Sequence, residues 1–284
     1  MQNLNTTKIS QTQYSFFLFL FISLTLSLPV HATWKKEVVS SINLNLTTLN
    51  NWAEGGEGAL TWNLKASGKF ELDTTKYNWT NQGKIGYGQT KLGDDDFRKS
   101  LDEIFFETLY RYKLTSLLNP YGSATLQSQW TKGYKYTDTS KTPQSSFWDP
   151  GYLTQSVGMG LNPVENLILR LGFSLKQTFS EKYGFADKAE TKKVESLLIE
   201  PGLESISTYS LKFKTILKYD TKFGVFVNFK GIEEIDAKWE NLFTAQLAKF
   251  LQFQFGLTML YDVNQDKETQ IKQDMSLALS YSFF

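Results

Sequence analysis

From residue 33 onward, apolar and polar residues alternate with a period of two almost without interruption, a pattern that a strand satisfies and a helix does not. Residues 59–72 show it best. Leu60, Trp62, Leu64, Ala66, Phe70 and Leu72 fall on one face, and Thr61, Asn63, Lys65, Ser67, Lys69 and Glu71 on the other. Successive side chains of a strand point to opposite sides of a sheet, so one side must meet an apolar medium and the other a polar one. Residues 166–180 repeat the theme, with Leu167, Leu169, Leu171, Phe173 and Leu175 against Arg170, Ser174, Lys176 and Thr178. In residues 102–115, Ile104, Phe106, Tyr110, Tyr112 and Leu114 oppose Glu103, Glu107, Arg111 and Lys113, and Phe105 and Leu109 share the polar face.

The same alternation runs through 37–49, 76–91, 120–133, 150–162, 196–218, 222–230, 235–248, 250–263 and 270–284, which makes twelve predicted strands. Most are well above the five or six residues usual in globular sheets. They suit tilted strands that cross a bilayer in roughly 9–11 residues. The connections sort by order. Tight turns are expected at Asp73-Thr74-Thr75-Lys76, Asn119-Pro120, Asn162-Pro163 and Tyr219-Asp220-Thr221-Lys222, after even-numbered strands. Longer polar loops are expected at 50–58, 92–100, 134–149 and 181–195, after odd-numbered ones. Short turns on one side and long loops on the other is the layout of membrane barrels, with the turns in the periplasm. The expected fold is therefore all-β: a transmembrane antiparallel up-and-down β-barrel of about 12 strands, its apolar faces turned outward to lipid.

The beginning of the sequence fits export. Residues 16–28 are an apolar run followed by Pro29 and then Val30-His31-Ala32, which reads as a signal peptide cleaved after Ala32, with the barrel occupying 33–284. The run is shorter than the roughly 20 residues a spanning helix needs. Removing 1–32 takes away Lys8 and no acid, leaving 29 basic and 29 acidic residues, so no basic footprint for nucleic acid is expected. It also removes His31, the only histidine, from a chain that has no cysteine. Imidazole- or thiolate-based metal sites and Ser-His-Asp or Cys-His catalysis then have no members. No catalytic residue, metal or cofactor is expected, and an enzyme is the least favoured reading.

The final strand alternates through Met275, Leu277, Leu279 and Tyr281 to Phe283 and Phe284. Tyr281, Phe283 and Phe284 resemble the terminal signal read by the barrel-assembly machinery of Gram-negative bacteria, which with outer-membrane lipid makes up the expected partners. Beyond these patterns, the chain resembles the DUF3078 family of uncharacterised outer-membrane barrels, found chiefly in Bacteroidota. The matching stretches are Asn51-Trp52-Ala53-Glu54-Gly55-Gly56, Tyr87-Gly88 with Lys91, Arg98-Lys99 with Asp102, and Gln129-Trp130 with Gly133-Tyr134. Further on come Asp149-Pro150 with Tyr152-Leu153, Tyr261-Asp262, and Gln270 with Gln273. The resemblance implies an outer-membrane barrel and carries no activity.

The candidate lumen charges are Lys65, Lys69, Glu71, Glu103, Glu107, Arg111, Arg170 and Lys176, whose opposite signs should pair across the interior. Asp94-Asp95-Asp96 reads as a solvated acidic loop, and Trp52 with Gly55, Gly56 and Gly58 as a flexible connection. Tyr77, Trp79, Tyr112, Trp130, Trp239, Tyr261 and Tyr281 read as the aromatic girdles that seat a barrel among headgroups. Together these point to a narrow pore or a structural or transport barrel of the Gram-negative outer membrane, of unknown substrate. The alternative is a barrel that binds a ligand or partner through its extracellular loops, chiefly 134–149 and 181–195. Deleting residues 281–284 should leave export intact and block insertion. Fractionation will then find the product in the periplasm or degraded; folded, heat-modifiable protein in the outer membrane would refute the assembly signal.

Overall fold

The computed structural model describes residues 34–47, 58–137, 140–186, 195–214, 216–231, 235–262 and 266–282. The expected signal peptide, the loop stretches 50–57 and 187–194, and Phe283 and Phe284 lie outside the described residues. The strands are β1 (Trp34–Thr47), β2 (Ala59–Asp73), β3 (Tyr77–Leu92), β4 (Arg98–Tyr112), β5 (Leu118–Ser128), β6 (Gly133–Tyr136) and β7 (Lys141–Ser145). They continue with β8 (Gly151–Val164), β9 (Leu167–Phe179), β10 (Leu197–Phe213), β11 (Leu217–Asn228), β12 (Ile235–Ala248), β13 (Leu251–Asp262) and β14 (Asp266–Ser282). Twelve of them form a closed antiparallel barrel, each beside its neighbour in chain order, with β1 meeting β14; β6 and β7 form a separate hairpin in the connection between β5 and β8.

Pairing fixes which way each side chain points. Glu107 of β4 meets both Arg170 of β9 and Lys222 of β11, so the faces that carry them are the inner ones. The outer faces alternate with these and carry Ile42, Leu44, Leu171, Phe173, Met275 and Leu279, each between 55% and 67% exposed. Apolar exposure on that scale, continued around a closed wall, needs a hydrocarbon medium. This is the transmembrane up-and-down barrel of the sequence reading.

Aromatic residues gather at both ends of the wall. At the end with the short turns, Trp34 and Trp79 approach at 5.6 Å across β2, Tyr77 stacks on Tyr110 at 5.4 Å, and Phe250 on Tyr281 at 5.9 Å. The Trp34–Trp79 pair covers Leu72, which sits between them in register. Although it points outward, Leu72 is buried. At the loop end Trp62 meets Tyr87. These belts match the interfacial girdles expected of a membrane barrel. Trp239, the fifth residue of β12 from the loop end, donates its indole N–H to Thr221 on β11 (2.9 Å).

Three expected turns fall inside strands. Asn119-Pro120 belongs to β5, and the turn precedes it at 113–117. The β4–β5 ladder ends at Arg111–Tyr121, so on that side Pro120 has no ladder bond to donate. Asn162-Pro163 belongs to β8 and occupies the register shift between Leu161 and Val164, with the turn at Glu165 and Asn166. A bulge of this kind tolerates proline, and Asn166 takes the left-handed backbone (φ 65°) that the tight reversal needs. Tyr219-Asp220-Thr221-Lys222, expected as a turn, is continuous β11 paired with β10 and β12; the chain reverses before Leu217, with Lys214 at φ 54°. The polar run 219–222 alternates like any strand, and its inward Asp220 and Lys222 account for the polarity. The connection at 134–149, expected as a longer polar loop, carries the β6–β7 hairpin.

The facing assignment predicts a difference that denaturant titration of the refolded protein in lipid will read. Phe173→Arg puts a charge on the lipid face and should cost roughly 2–4 kcal/mol near the midplane. Glu103→Arg, on the inner face and exposed, should cost clearly less. The reverse order would overturn the assignment.

Candidate functional site

The inner faces of the strands assemble a charged partition across the middle of the lumen. Glu107 on β4 accepts a hydrogen bond from Arg170 Nη2 on β9 at 2.8 Å, and both side chains are almost fully buried. Its second oxygen lies 3.8 Å from Lys222 Nζ of β11, nearly opposite in the barrel, and also accepts from Gln82 of β3. Lys222 and Lys84 approach the Phe105 ring at 5.7 and 5.5 Å, which adds cation–π contact to the same partition. Tyr121 lies against Arg170 and hydrogen-bonds Ser156 at 3.0 Å. Room for its ring comes from the paired glycines Gly158 and Gly172: a Cβ on Gly172 would stand 2.6 Å from the Tyr121 hydroxyl. Breaking one partner of such a buried pair costs about 3–5 kcal/mol, because the other charge is left uncompensated.

Toward the loop end, a second cluster centres on Lys176 of β9. Its Nζ lies 2.6 Å from Asp236 of β12, 3.4 Å from Asp262 of β13 and 3.7 Å from Glu200 of β10. One ammonium thus gathers three carboxylates from three other strands, and the local charge is negative. Asn228 of β11 donates to Glu200 at 3.3 Å. Toward the turn end, Glu71 accepts from Asn78 (2.8 Å) and pairs with Lys69 (2.9 Å), while Arg111 donates to Asn78 Oδ1 (2.8 Å). A depression of about 690 Å³, lined in part by Arg111, Leu117, Asn162 and Ile168, opens there.

The structure therefore places all eight candidate charges on inner faces, in different surroundings. Glu107 and Arg170 join the mid-lumen partition and Lys176 the loop-end cluster; Lys69, Glu71 and Arg111 form the turn-end group. Lys65 approaches Asp274 of β14 at 3.9 Å, and Glu103 is exposed to the lumen opposite Gly86. Sequence reasoning missed Lys222, Glu200, Asp236 and Asp262. Lys222 fell in the expected turn, and the acids lie in strands where weaker alternation was traced without assigning inward positions. Among the described residues, no group of His, Cys, Asp or Glu is arranged to hold a metal ion.

A third assembly sits on the loop-end rim. Asp102 points outward from β4 and accepts from Trp130 N (2.7 Å), Thr131 N (2.9 Å), Thr131 Oγ1 (2.8 Å) and Lys99 Nζ (3.0 Å). Gln129 donates to the carbonyls of Ser146 and Asp149, and its own carbonyl accepts from Ser145 and Lys99. Asp149 in turn accepts from Ser180 Oγ (2.6 Å) and Lys182 N (2.9 Å) in the next loop. These bonds fix the base of the β6–β7 hairpin, which raises Tyr134 and Tyr136 beneath Lys141 and Arg98.

Most of the residues that build this rim lie in one stretch of sequence. Residues 44–134 match the family described as "Protein of unknown function (DUF3078)". The matched segment contributes Lys99, Asp102, Gln129, Trp130 and Tyr134 to the clamp; Asp149 and Ser180 come from beyond it. No match is found among curated proteins. Among solved structures, the chain is similar to the translocator domain of autotransporter NalP from Neisseria meningitidis, at 10% identity and a TM-score of 0.41 over 96% of this chain and 95% of that one. It is also similar to the COG4313 outer membrane channel from Pseudomonas putida F1 (10%, TM-score 0.41, 90% and 96% covered). A third likeness is to OprB of Pseudomonas putida (8%, TM-score 0.33, 89% and 94%).

The clamp makes a prediction of its own. Asp102→Ala strips the backbone N–H groups of Trp130 and Thr131 of their acceptor, a loss of about 1–3 kcal/mol confined to the rim. Limited trypsin digestion of the folded barrel should then cut at Lys132, Lys135 or Lys141 markedly faster than in the parent, while the heat-modifiable core survives. Unchanged digestion would mean that Asp102 does not hold the hairpin.

Proposed function

We propose that this chain is a Gram-negative outer-membrane barrel serving as a narrow, normally closed pore or transport barrel, inserted by the barrel-assembly machinery with its turns in the periplasm and its loops outside. The observation that carries this reading is the partition at mid-lumen. Eight-stranded barrels are filled by side chains and 16–18-stranded ones leave an aqueous channel, so at twelve strands side-chain bulk and pairing decide. Here Glu107 of β4 pairs with Arg170 of β9 and reaches Lys222 of β11 on the nearly opposite wall. Ion pairs that span the bore leave room for small solutes or ions at most. We propose no catalytic role and no nucleic-acid partner.

A second reading, binding of a ligand or partner through the outer loops, is favoured by the rim clamp. Its four-fold acceptor Asp102 and the bridge from Asp149 to Ser180 and Lys182 hold loops in fixed positions, as a binding surface requires.

Planar-bilayer recording separates pore from plug. The parent protein should show small or absent currents. Lys222→Ala with Phe105→Ala removes one side of the partition and leaves Glu107 paired with Arg170, so unitary conductance should rise several-fold with the fold intact. Lys132→Ala, on the rim, should leave it unchanged. Large, stable openings of the parent protein would defeat the closed-waist model.

A further inference from the structure

The barrel wall is not zipped equally all the way round. β1 pairs with β2 along its whole length, Trp34–Thr47 against Leu72–Ala59. β14 pairs with β13 from Asp266 to Leu279. Among the described residues, the ladder that closes the barrel spans only Val39–Asn43 of β1 against Ser282–Ala278 of β14. Continuing that register would set Leu44 opposite Leu277 and Leu46 opposite Met275, and no ladder joins them. Among the described residues, backbone groups on these two edges face the membrane with no ladder partner on that side.

The side chains at the seam point the same way. Asn43 is 4% exposed, and neither its amide oxygen nor its amide nitrogen has a hydrogen-bond partner. It marks the last pair of the ladder. Ser276 Oγ, just beyond it on β14, is also buried and unpartnered. Both face inward, near Ser41 and Ser280, so the inner lip of the seam is small and polar. The outer lip is the reverse: Leu44, Leu46, Met275 and Leu277 are all strongly exposed. A buried amide left with a free donor and a free acceptor is costly unless something binds it.

We propose that the loop-end half of the β1–β14 seam is a lateral portal for a single-chain amphiphile, whose hydrogen-bonding head rests on Asn43 and Ser276 and whose apolar tail passes between Leu44–Leu46 and Met275–Leu277 into the bilayer. A strand from another protein would satisfy the two backbone edges and still leave the Asn43 amide unpartnered on the inner side. An amphiphile satisfies both lips, the polar inner and the apolar outer. The direction of passage, sideways rather than straight through, rests on the closed waist of the proposed pore; the binding site itself does not.

The test uses the full chain in phosphatidylcholine vesicles with a photoreactive, diazirine-bearing fatty acid, and maps labelled peptides by mass spectrometry. Labelling should concentrate on residues 42–46 and 275–279 relative to the β9 wall around Leu171 and Phe173, which meets bulk lipid only. Asn43→Leu removes a donor and an acceptor and should reduce that enrichment about tenfold, the weight of roughly one hydrogen bond. Ser276→Leu, which fills the inner lip, should do the same, with folding of each variant checked by heat-modifiability. Equal labelling of seam and β9 wall in the parent would overturn the portal, as would enrichment that survives both substitutions. Efficient cross-linking of a Leu44→Cys chain to a second copy would overturn it in favour of a subunit interface. No current is measured, so an open waist would defeat the pore reading and leave this result standing.

Discussion

In hydrocarbon a backbone N–H or C=O has no water to fall back on, so a chain that crosses with strands must satisfy those groups inside its own wall. Everything else in this protein follows from that constraint. It requires closure of β1 on β14, it turns apolar side chains outward, and it drives the charged ones into the bore. Once inside, those charges are confined to a space only a few side chains wide. They pair across it, as Glu107 does with Arg170 and Lys222, or converge, as three carboxylates do on Lys176.

The interior is thus layered rather than uniformly polar. Neutralised pairs occupy the middle, an excess of carboxylate lies toward the loops, and an Asn78-centred network of Glu71 and Arg111 lies toward the turns. The layers depend on the tilt and register of the wall, because residues that meet are far apart in sequence and come from non-adjacent strands. Glycines at paired inner positions, Gly158 and Gly172, let an aromatic ring lie flat where a side chain would push it into the bore.

Much of this was legible in the sequence, because a period-two pattern carries its own in/out assignment. Strand number, apolar exterior and the inward placement of Glu107, Arg170 and Lys176 all follow from alternation. What alternation does not carry is which inner residues meet, since that is decided by shear around the closed barrel. Lys222 shows the failure most plainly: local polarity at 219–222 reads as a turn, and only pairing with β10 and β12 reveals a strand. Pro120 and Pro163 mislead for a related reason. Proline signals a reversal on average, yet a ladder end and a bulge each accept it within a strand. The β6–β7 hairpin was hidden because four or five residues are too few for a periodic signal.

The carboxylate of Asp149 belongs to the loop that carries the hairpin, yet both of its oxygens are spent on the loop between β9 and β10. Two connections that are separate along the chain are therefore bolted into one cap at the rim. Such a cap cannot be remodelled piecemeal: lengthening either loop tears the bolt from the other. Change at the rim is then concerted, and sequence drift in one loop is felt as a constraint in the next.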